Sequence, residues 1–153
     1  MKLKSLFLYI FVLISFSSCQ FNQLIIDESK KNLFSLNIEN SIPVSFEQKL
    51  KFIFNSENNE NKQGQILLKN YIFSNYDIYG GPSLRSLEGE LRLEIDISIY
   101  ANKQINKKLV VYKRYKSNEL NPFAQEQMIK ALESEMQNEL IKEIIFEVNA
   151  FEM

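Results

Sequence analysis

The clearest pattern along the chain is a strict alternation of polar and apolar residues between positions 90 and 99. Because successive side chains of a β-strand point to opposite faces of the sheet, this period of two predicts a strand with one covered face. The other face should meet water or a polar partner. The apolar positions, which predict the centre of a hydrophobic core, are Leu91, Leu93, Ile95, Ile97 and Ile99.

Three further segments predict strands that pair around this one. Residues 33–39 alternate in the same way, and residues 66–76 are rich in Ile, Leu, Tyr and Phe, which favour strands. Residues 107–117 follow the alternating strand after a polar turn at residues 102–106. Two strands joined by so short a turn predict an antiparallel hairpin.

Two segments have the apolar spacing of amphipathic helices. The first follows Ser45 and Gln48, which match a capping box whose hydroxyl and amide satisfy unpaired backbone N–H groups at a helix start. The second opens at Asn121 and Pro122, a capping residue followed by a proline suited to the first helical position. The apolar stripe of this second helix comprises Ile129, Leu132, Met136, Leu140, Ile144 and Val148.

These elements occur in the order β-α-β-β-β-α, which predicts the α+β class. We expect a four-stranded, mainly antiparallel sheet with both helices packed on one face. Residues 55–65, between the first helix and the second strand, contain no apolar side chain and predict a solvated loop. Residues 79–82, which include two glycines and a proline, predict a turn.

The N-terminus has the pattern of a secretion signal. Lys2 and Lys4 precede an apolar run at residues 6–16, interrupted only by Ser15. A helix that crosses a bilayer needs roughly 20 apolar residues, so this run is too short to span and matches the central region of a signal peptide.

Cys19, the only cysteine of the chain, follows two small serines directly after this segment. A lone cysteine at this position predicts a lipobox, with residues 1–18 removed and Cys19 as the lipid-anchor residue. An ordinary secretory signal with an incidental cysteine is the alternative, but it would leave a free thiol in an oxidising compartment. Residues 19–32 would then be a lipidated tether, and residues 33–153 a single domain. Gln20, in place of aspartate, favours sorting to the outer membrane.

Composition narrows the function of the mature chain. Without residues 1–18 the chain has 16 basic and 19 acidic side chains, a formal charge of −3, which argues against nucleic acid as a partner. The absence of histidine removes the commonest general base and the commonest zinc ligand. With no paired-acid motif or phosphate loop either, we expect a protein that is not an enzyme and holds no cofactor or metal.

The chain resembles the LPS-assembly lipoprotein family LptE over essentially the whole mature sequence. The resemblance depends on element order and scattered positions: the lipobox at Cys19, the strand at 33–39, the helix start at Ser45, the strand at 91–99, Lys113-Arg114-Tyr115, and residues 126–128 and 140–142 of the last helix.

The resemblance implies a location and two partners. A member of this family would be anchored to the outer membrane, on its periplasmic face, and would plug the LptD β-barrel. It would help that barrel assemble and assist lipopolysaccharide on its way to the cell surface. A chaperone or pilotin-type lipoprotein that escorts a secretion-machine component is the alternative from another class. A carboxylate-based hydrolase is a third, for which no acid pair can be named.

Four basic residues are candidates for lipopolysaccharide binding. Between Lys103 and Lys116 the sequence has six basic residues and no acidic one, and within this hairpin Lys113 and Arg114 could contact lipid phosphates. Arg92 lies on the polar side of the alternating strand, and the family resemblance adds Lys130. The alternatives are a solvated hairpin whose lysines protect an edge strand, a cross-strand ion pair at Arg92, and a solvated helix lysine at Lys130.

Overall fold

A computed structural model describes residues 33–54, 62–79, 86–117 and 120–151. The predicted signal peptide, Cys19 and the tether lie outside these ranges, as do most of the predicted loop at 55–65 and the turn after the second strand. None of the helices in the described ranges combines the length and the apolarity that a membrane span requires.

The core of the fold is one four-stranded sheet with the strands in sequence order. Strand β1 is Phe34–Ile38, β2 is Gly64–Tyr79, β3 is Ser86–Tyr100 and β4 is Gln104–Lys116. Strand β1 pairs with β2 in parallel, whereas β2 with β3 and β3 with β4 are antiparallel. The predicted hairpin is confirmed, and its turn is shorter than expected because Tyr100 already pairs with Gln104.

Helix α1 is Val44–Ile53 and helix α2 is Pro122–Ala150. Both pack on the same face of the sheet. Phe46 of α1 lies 5.6 Å from the ring of Tyr71 in β2, and Gln137 of α2 donates a hydrogen bond to the hydroxyl of that tyrosine at 3.0 Å. The predicted α+β architecture, with two helices on one face of a mainly antiparallel sheet, is confirmed.

The apolar side of the alternating strand β3 forms one side of the hydrophobic core, as predicted. The five apolar residues of β3 are all buried, and four residues of the α2 stripe lie over the sheet with no exposed surface. The first two residues of that stripe, Ile129 and Leu132, are only partly buried. The buried side chains of α2 begin at Met136. The fully buried part of the stripe comprises Met136, Leu140, Ile144 and Val148.

The two helix starts differ from each other. Asn121 caps α2 as predicted, its side chain accepting the backbone N–H of Ala124 at 3.0 Å. The capping box expected at Ser45 was wrong. Helix α1 already begins at Val44, after Pro43, whose fixed backbone φ of −58° starts the helix and whose carbonyl accepts from Phe46. Ser45 is therefore inside the first turn, where no side-chain cap forms.

A β-bulge in β2 decides which of its residues face the helices. Asn70 and Tyr71 together oppose a single position of β3, since Lys69 pairs with Asp96 and Ile72 with Glu94. Before the bulge the even-numbered Ile66 and Leu68 are buried, and after it the odd-numbered Tyr71 and Phe73 pack on the core. The extra residue thus turns Ile72 outward, which strict alternation would place inward.

Hydrogen bonds hold the bulge in a conformation that non-glycine residues rarely adopt. Asn70 has a φ of 56°. Its backbone N–H donates to the carboxylate of Glu39 at 2.9 Å, and its side-chain amide donates to Asp96 at 2.8 Å. The Ser41 hydroxyl donates to the same Glu39 oxygen at 2.8 Å. Glu39, at the end of β1, therefore fixes the point at which the core-facing positions of β2 change from even-numbered to odd-numbered residues.

The positive φ of Asn70 leads to a stability prediction. Replacing Asn70 by alanine should lower the free energy of unfolding by about 2 kcal/mol, through the left-handed backbone and the lost bond to Asp96. Asn70→Gly also loses that bond but has no Cβ to strain, so it should be the more stable variant by about 1 kcal/mol. Urea denaturation measures both. Equal stability of the two variants would show that the backbone conformation contributes nothing.

The Glu39 carboxylate leads to a prediction about pH. The hydrogen bonds from the Asn70 backbone and from Ser41 lower its pKa below the ordinary 4.5. The unfolded chain therefore takes up this proton first, so the stabilisation is complete above pH 4.5 and is lost as the pH falls through the lower folded-state pKa. Urea denaturation at a series of pH values from neutral to acid should show that the free energy of unfolding falls more steeply in the wild type than in Glu39→Gln. If the free energies of unfolding of the two proteins fell in parallel with pH, this role of the Glu39 carboxylate would be contradicted.

Candidate functional site

The face of the sheet turned away from both helices carries the candidate site. We call it the open face. No described helix covers its central part, in which three strands contribute side chains at matched register positions. These side chains are Ile72, Ser74 and Tyr76 of β2, Glu90, Arg92, Glu94 and Asp96 of β3, and Lys108, Val110, Tyr112 and Arg114 of β4.

Arg92 lies at the centre of the open face. Its guanidinium Nη2 is 3.1 Å from a carboxylate oxygen of Glu94, two residues along the same strand. The guanidinium carbon also lies 5.6 Å from the centre of the Tyr112 ring, on the opposing position of β4, which is within reach of a cation–π interaction. The buried Nε of Arg92 has no hydrogen-bond partner among the described residues.

Glu94 is an acidic residue that the sheet almost completely buries. Only 8% of it is exposed. Its carboxylate accepts from Arg92 and, at 3.3 Å, from Lys108 of β4. A buried carboxylate needs such partners because its desolvation is costly. Arg92 is therefore in an ion pair, as the alternative interpretation of its sequence position allowed, although the acid lies on its own strand.

Arg114 occupies the same face one row away. Its Nε donates to the carboxylate of Glu90 at 3.0 Å, and 69% of the arginine side chain is exposed. Ion pairs as exposed as this one contribute little to stability, so the guanidinium remains available to an anionic ligand. Arg92 and Arg114 are thus the two candidate residues that the structure brings onto one surface.

Lys113 lies on the opposite side of the sheet from Arg114, because neighbouring residues of a strand face opposite ways. It forms ion pairs with Glu139 and Glu135 of α2, and only 26% of its side chain is exposed. The hydrogen bond to Glu139 raises the pKa of Lys113. Lys107 pairs in the same manner with Glu147. These two lysines join the edge strand to the helix.

Lys130 lies on the exposed side of α2 and pairs with Glu126, one helical turn away, at 2.7 Å. This pairing lowers the pKa of the Glu126 carboxyl. The four basic candidates therefore do not form one cluster. Arg92 and Arg114 share the open face, Lys113 lies between the sheet and α2, and Lys130 is on the helix.

Apolar and aromatic side chains surround the charged centre of the open face. Ile72, Tyr76 and Tyr112 are each about half exposed. Tyrosine and arginine are enriched at the centres of protein interfaces, where an apolar body with a polar end can be buried at low entropic cost. The open face therefore has the composition of a docking surface, with partly exposed aromatic residues beside an arginine.

Sequence reasoning missed three contributors to this surface. Glu94 could have been found, because the alternation of β3 places it on the same face as Arg92. Tyr112 required the register between β3 and β4, and Ile72 required the bulge, which the sequence does not show. Within the described ranges, no group of three or more His, Cys, Asp or Glu side chains could hold a metal ion.

Comparison with known proteins identifies the fold and leaves the family open. No protein-family model matches the sequence, and no curated protein is significantly similar to it. Among solved structures, a minor lipoprotein from Acinetobacter baumannii matches with a TM-score of 0.61 and 18% identity, over 76% of this chain and 90% of that one.

Two further structures match in the same way. Rare lipoprotein B from Shewanella oneidensis has a TM-score of 0.61 and 13% identity, over 76% of this chain and 92% of its own. An uncharacterised lipoprotein B from Nitrosomonas europaea has a TM-score of 0.64 and 15% identity, over 77% and 82%. At these identities the likeness shows a shared fold, and the three proteins named here are bacterial lipoproteins.

The two carboxylates that bind arginines on the open face give a matched pair of variants. Glu94→Ala should lower the free energy of unfolding by about 2 kcal/mol, because it leaves the partly buried Arg92 without its main acceptor. Glu90→Ala removes the exposed pair with Arg114 and should cost less than about 0.5 kcal/mol. Chemical denaturation of both variants checks this. If both variants lost a similar free energy of unfolding, the burial of Glu94 would not contribute to stability.

Proposed function

We propose that this protein is an outer-membrane lipoprotein, anchored through Cys19 on the periplasmic face, whose domain docks inside the LptD β-barrel. In this role it helps the barrel assemble and assists lipopolysaccharide on its way to the cell surface. The observation that carries the proposal is the open face, a sheet surface that no described helix covers, with half-exposed tyrosines and an isoleucine around Arg92.

The arrangement of the domain supports docking against a larger structure. In the described ranges, the buried apolar side chains form one cluster, which includes residues of both helices and of all four strands. A chain that functions alone would gain stability by covering Ile72, Tyr76 and Tyr112 as well. Their exposure therefore fits a partner that provides the missing layer.

The resemblance to the LptE family and the fold shared with three bacterial lipoproteins support the envelope location. Two guanidinium groups on the open face, those of Arg92 and Arg114, support contact with an anionic lipid. Guanidinium groups form bidentate hydrogen bonds with phosphate. The exposed Arg114 would meet the ligand first, and the Arg92 guanidinium, whose side chain is 35% exposed, lies on the same face.

The partner is tested by purification from membranes. A C-terminally tagged full-length chain should bring down a β-barrel protein of several hundred residues from detergent-solubilised outer membranes, in a complex that survives mild detergent. Tyr112→Asp should reduce the recovered barrel, because it puts a charge on the open face. Ser134→Asp, on the exposed side of α2, is the control. Recovery of a soluble secretion component in place of a barrel would favour the pilotin-type function.

Lipid contact is tested by removing pairs of cations. Arg92→Ala with Arg114→Ala should weaken lipopolysaccharide binding about tenfold or more, because two charge-assisted bonds are lost. Lys130→Ala with Lys142→Ala removes the same charge from α2 and should leave binding within about twofold. Binding is measured with immobilised lipopolysaccharide, and circular dichroism checks the fold. The opposite ranking would place the lipid site on α2.

A further inference from the structure

The domain has one end at which the tether joins it, which we call the anchor end. It comprises Leu33, Gly64, Phe151 and the β3–β4 turn at residues 101–103. The carbonyl of Leu33 accepts from the backbone N–H of Gly64 at 3.0 Å. The ring of Phe34 meets that of Phe151 edge to face at 6.0 Å. The start of β1 and the last turn of α2 therefore meet here.

Both helices run toward the anchor end. For α2 this follows from the contact between Phe34 and Phe151. For α1 it follows from topology. Strands β1 and β2 are parallel, so the chain must return from the end of β1 to Gly64, and α1 is the element that lies on this return path. The C-terminal halves of both helices thus approach the surface from which the tether leaves.

Each helix carries a largely exposed phenylalanine in this half. Phe52 of α1 is 88% exposed and Phe146 of α2 is 57% exposed. Phe52 lies in the last turn of α1, and Phe146 five residues before Phe151. Leaving a large aromatic side chain in water is unfavourable relative to burying it. Exposed apolar side chains also occur at the opposite end, at Leu120 and Phe123, so the place of Phe52 and Phe146 near the tether sets this pair apart.

Basic side chains accompany the two rings. Lys51 precedes Phe52. Lys142 lies one helical turn before Phe146 and lines the same depression on α2, together with Glu143 and Glu147. Lys103 is exposed in the adjacent turn. Exposed aromatic rings flanked by lysines are typical of surfaces that lie in the headgroup layer of an anionic bilayer.

The acidic residues nearby do not reverse this balance. Glu47 forms an ion pair with Lys51, and Glu147 with Lys107. Glu143 carries the charge opposite to that of the adjacent Lys142. These contacts reduce the negative charge that a phospholipid surface would meet at this end of the domain.

We propose that the anchor end rests on the phospholipid surface, with Phe52 and Phe146 inserted among the headgroups. This inference rests on the proposed lipid anchor at Cys19. Only the thirteen residues 20–32 separate Cys19 from Leu33, and such a segment spans at most about 45 Å. The tether therefore attaches the domain to the bilayer at the end that carries these two rings.

The opposite end of the domain provides a control. Phe123, 71% exposed, lies in the first turn of α2. It precedes Phe146 by 23 helical residues, which at 1.5 Å per residue places it about 35 Å away along the helix. If the anchor end faces the bilayer, Phe123 lies far from it.

The chain lacks tryptophan, so each position can report by itself. We would prepare lipidated full-length chains with Phe52→Trp, Phe146→Trp or Phe123→Trp and reconstitute them in vesicles of phosphatidylethanolamine and phosphatidylglycerol. Brominated phospholipid in these vesicles quenches only nearby indole rings. Tryptophan at 52 and at 146 should lose at least about half of its emission and shift to the blue, whereas tryptophan at 123 should change little. Mass spectrometry confirms lipidation of Cys19.

Four results would overturn the proposal in distinguishable ways. Unquenched emission at 52 and 146 from a lipidated, vesicle-bound chain would refute the orientation and leave the lipoprotein function intact. Quenching at 123 alone would mean the inverse orientation. A chain without lipid on Cys19 would remove the premise, and with it the proposed anchoring. A blue shift at 52 that depends on protein concentration, without vesicles, would indicate a second copy of the chain as the occupant.

Discussion

The structure depends on one local constraint, the bulge at Asn70. Two hydrogen bonds from this residue, one to Glu39 and one to Asp96, hold a left-handed backbone in the middle of β2. The bulge lets the first half of the strand bury Ile66 and Leu68 and the second half pack Tyr71 and Phe73 against the core. It also turns Ile72 outward. The same constraint therefore completes the core on one side and contributes an apolar residue to the surface on the other.

The two faces of the sheet use their charges differently. On the helix side, Lys107 and Lys113 of the edge strand pair with glutamates of α2 and close the rim of the core. On the open face, Glu94 draws Arg92 and Lys108 together, while Arg114 stays largely exposed. The basic hairpin that appears as one feature of the sequence is thus two features, one that stabilises the fold and one available to a ligand.

The sequence predicted the fold well because its signals are local and periodic. The alternation of β3, the Asn121 cap and the stripe on α2 each follow from spacing alone. The candidate site was predicted only in part. Arg92 and Arg114 share a face, but whether Lys113 points to solvent or to α2 depends on where the helix packs. The position of Ile72 depends on a bulge whose hydrogen bonds join residues 31 and 26 positions apart. Periodicity carries no information about such contacts.

The central claim is that a β-barrel supplies the layer missing from the open face. Photo-crosslinking in intact cells tests it most directly, with a benzoylphenylalanine placed at Tyr112 and, for comparison, at Phe52. The account predicts a covalent adduct between the Tyr112 position and a barrel protein of several hundred residues, and none with that protein from Phe52. An open face that forms no adduct with any barrel, while the chain is lipidated and in the outer membrane, would contradict it.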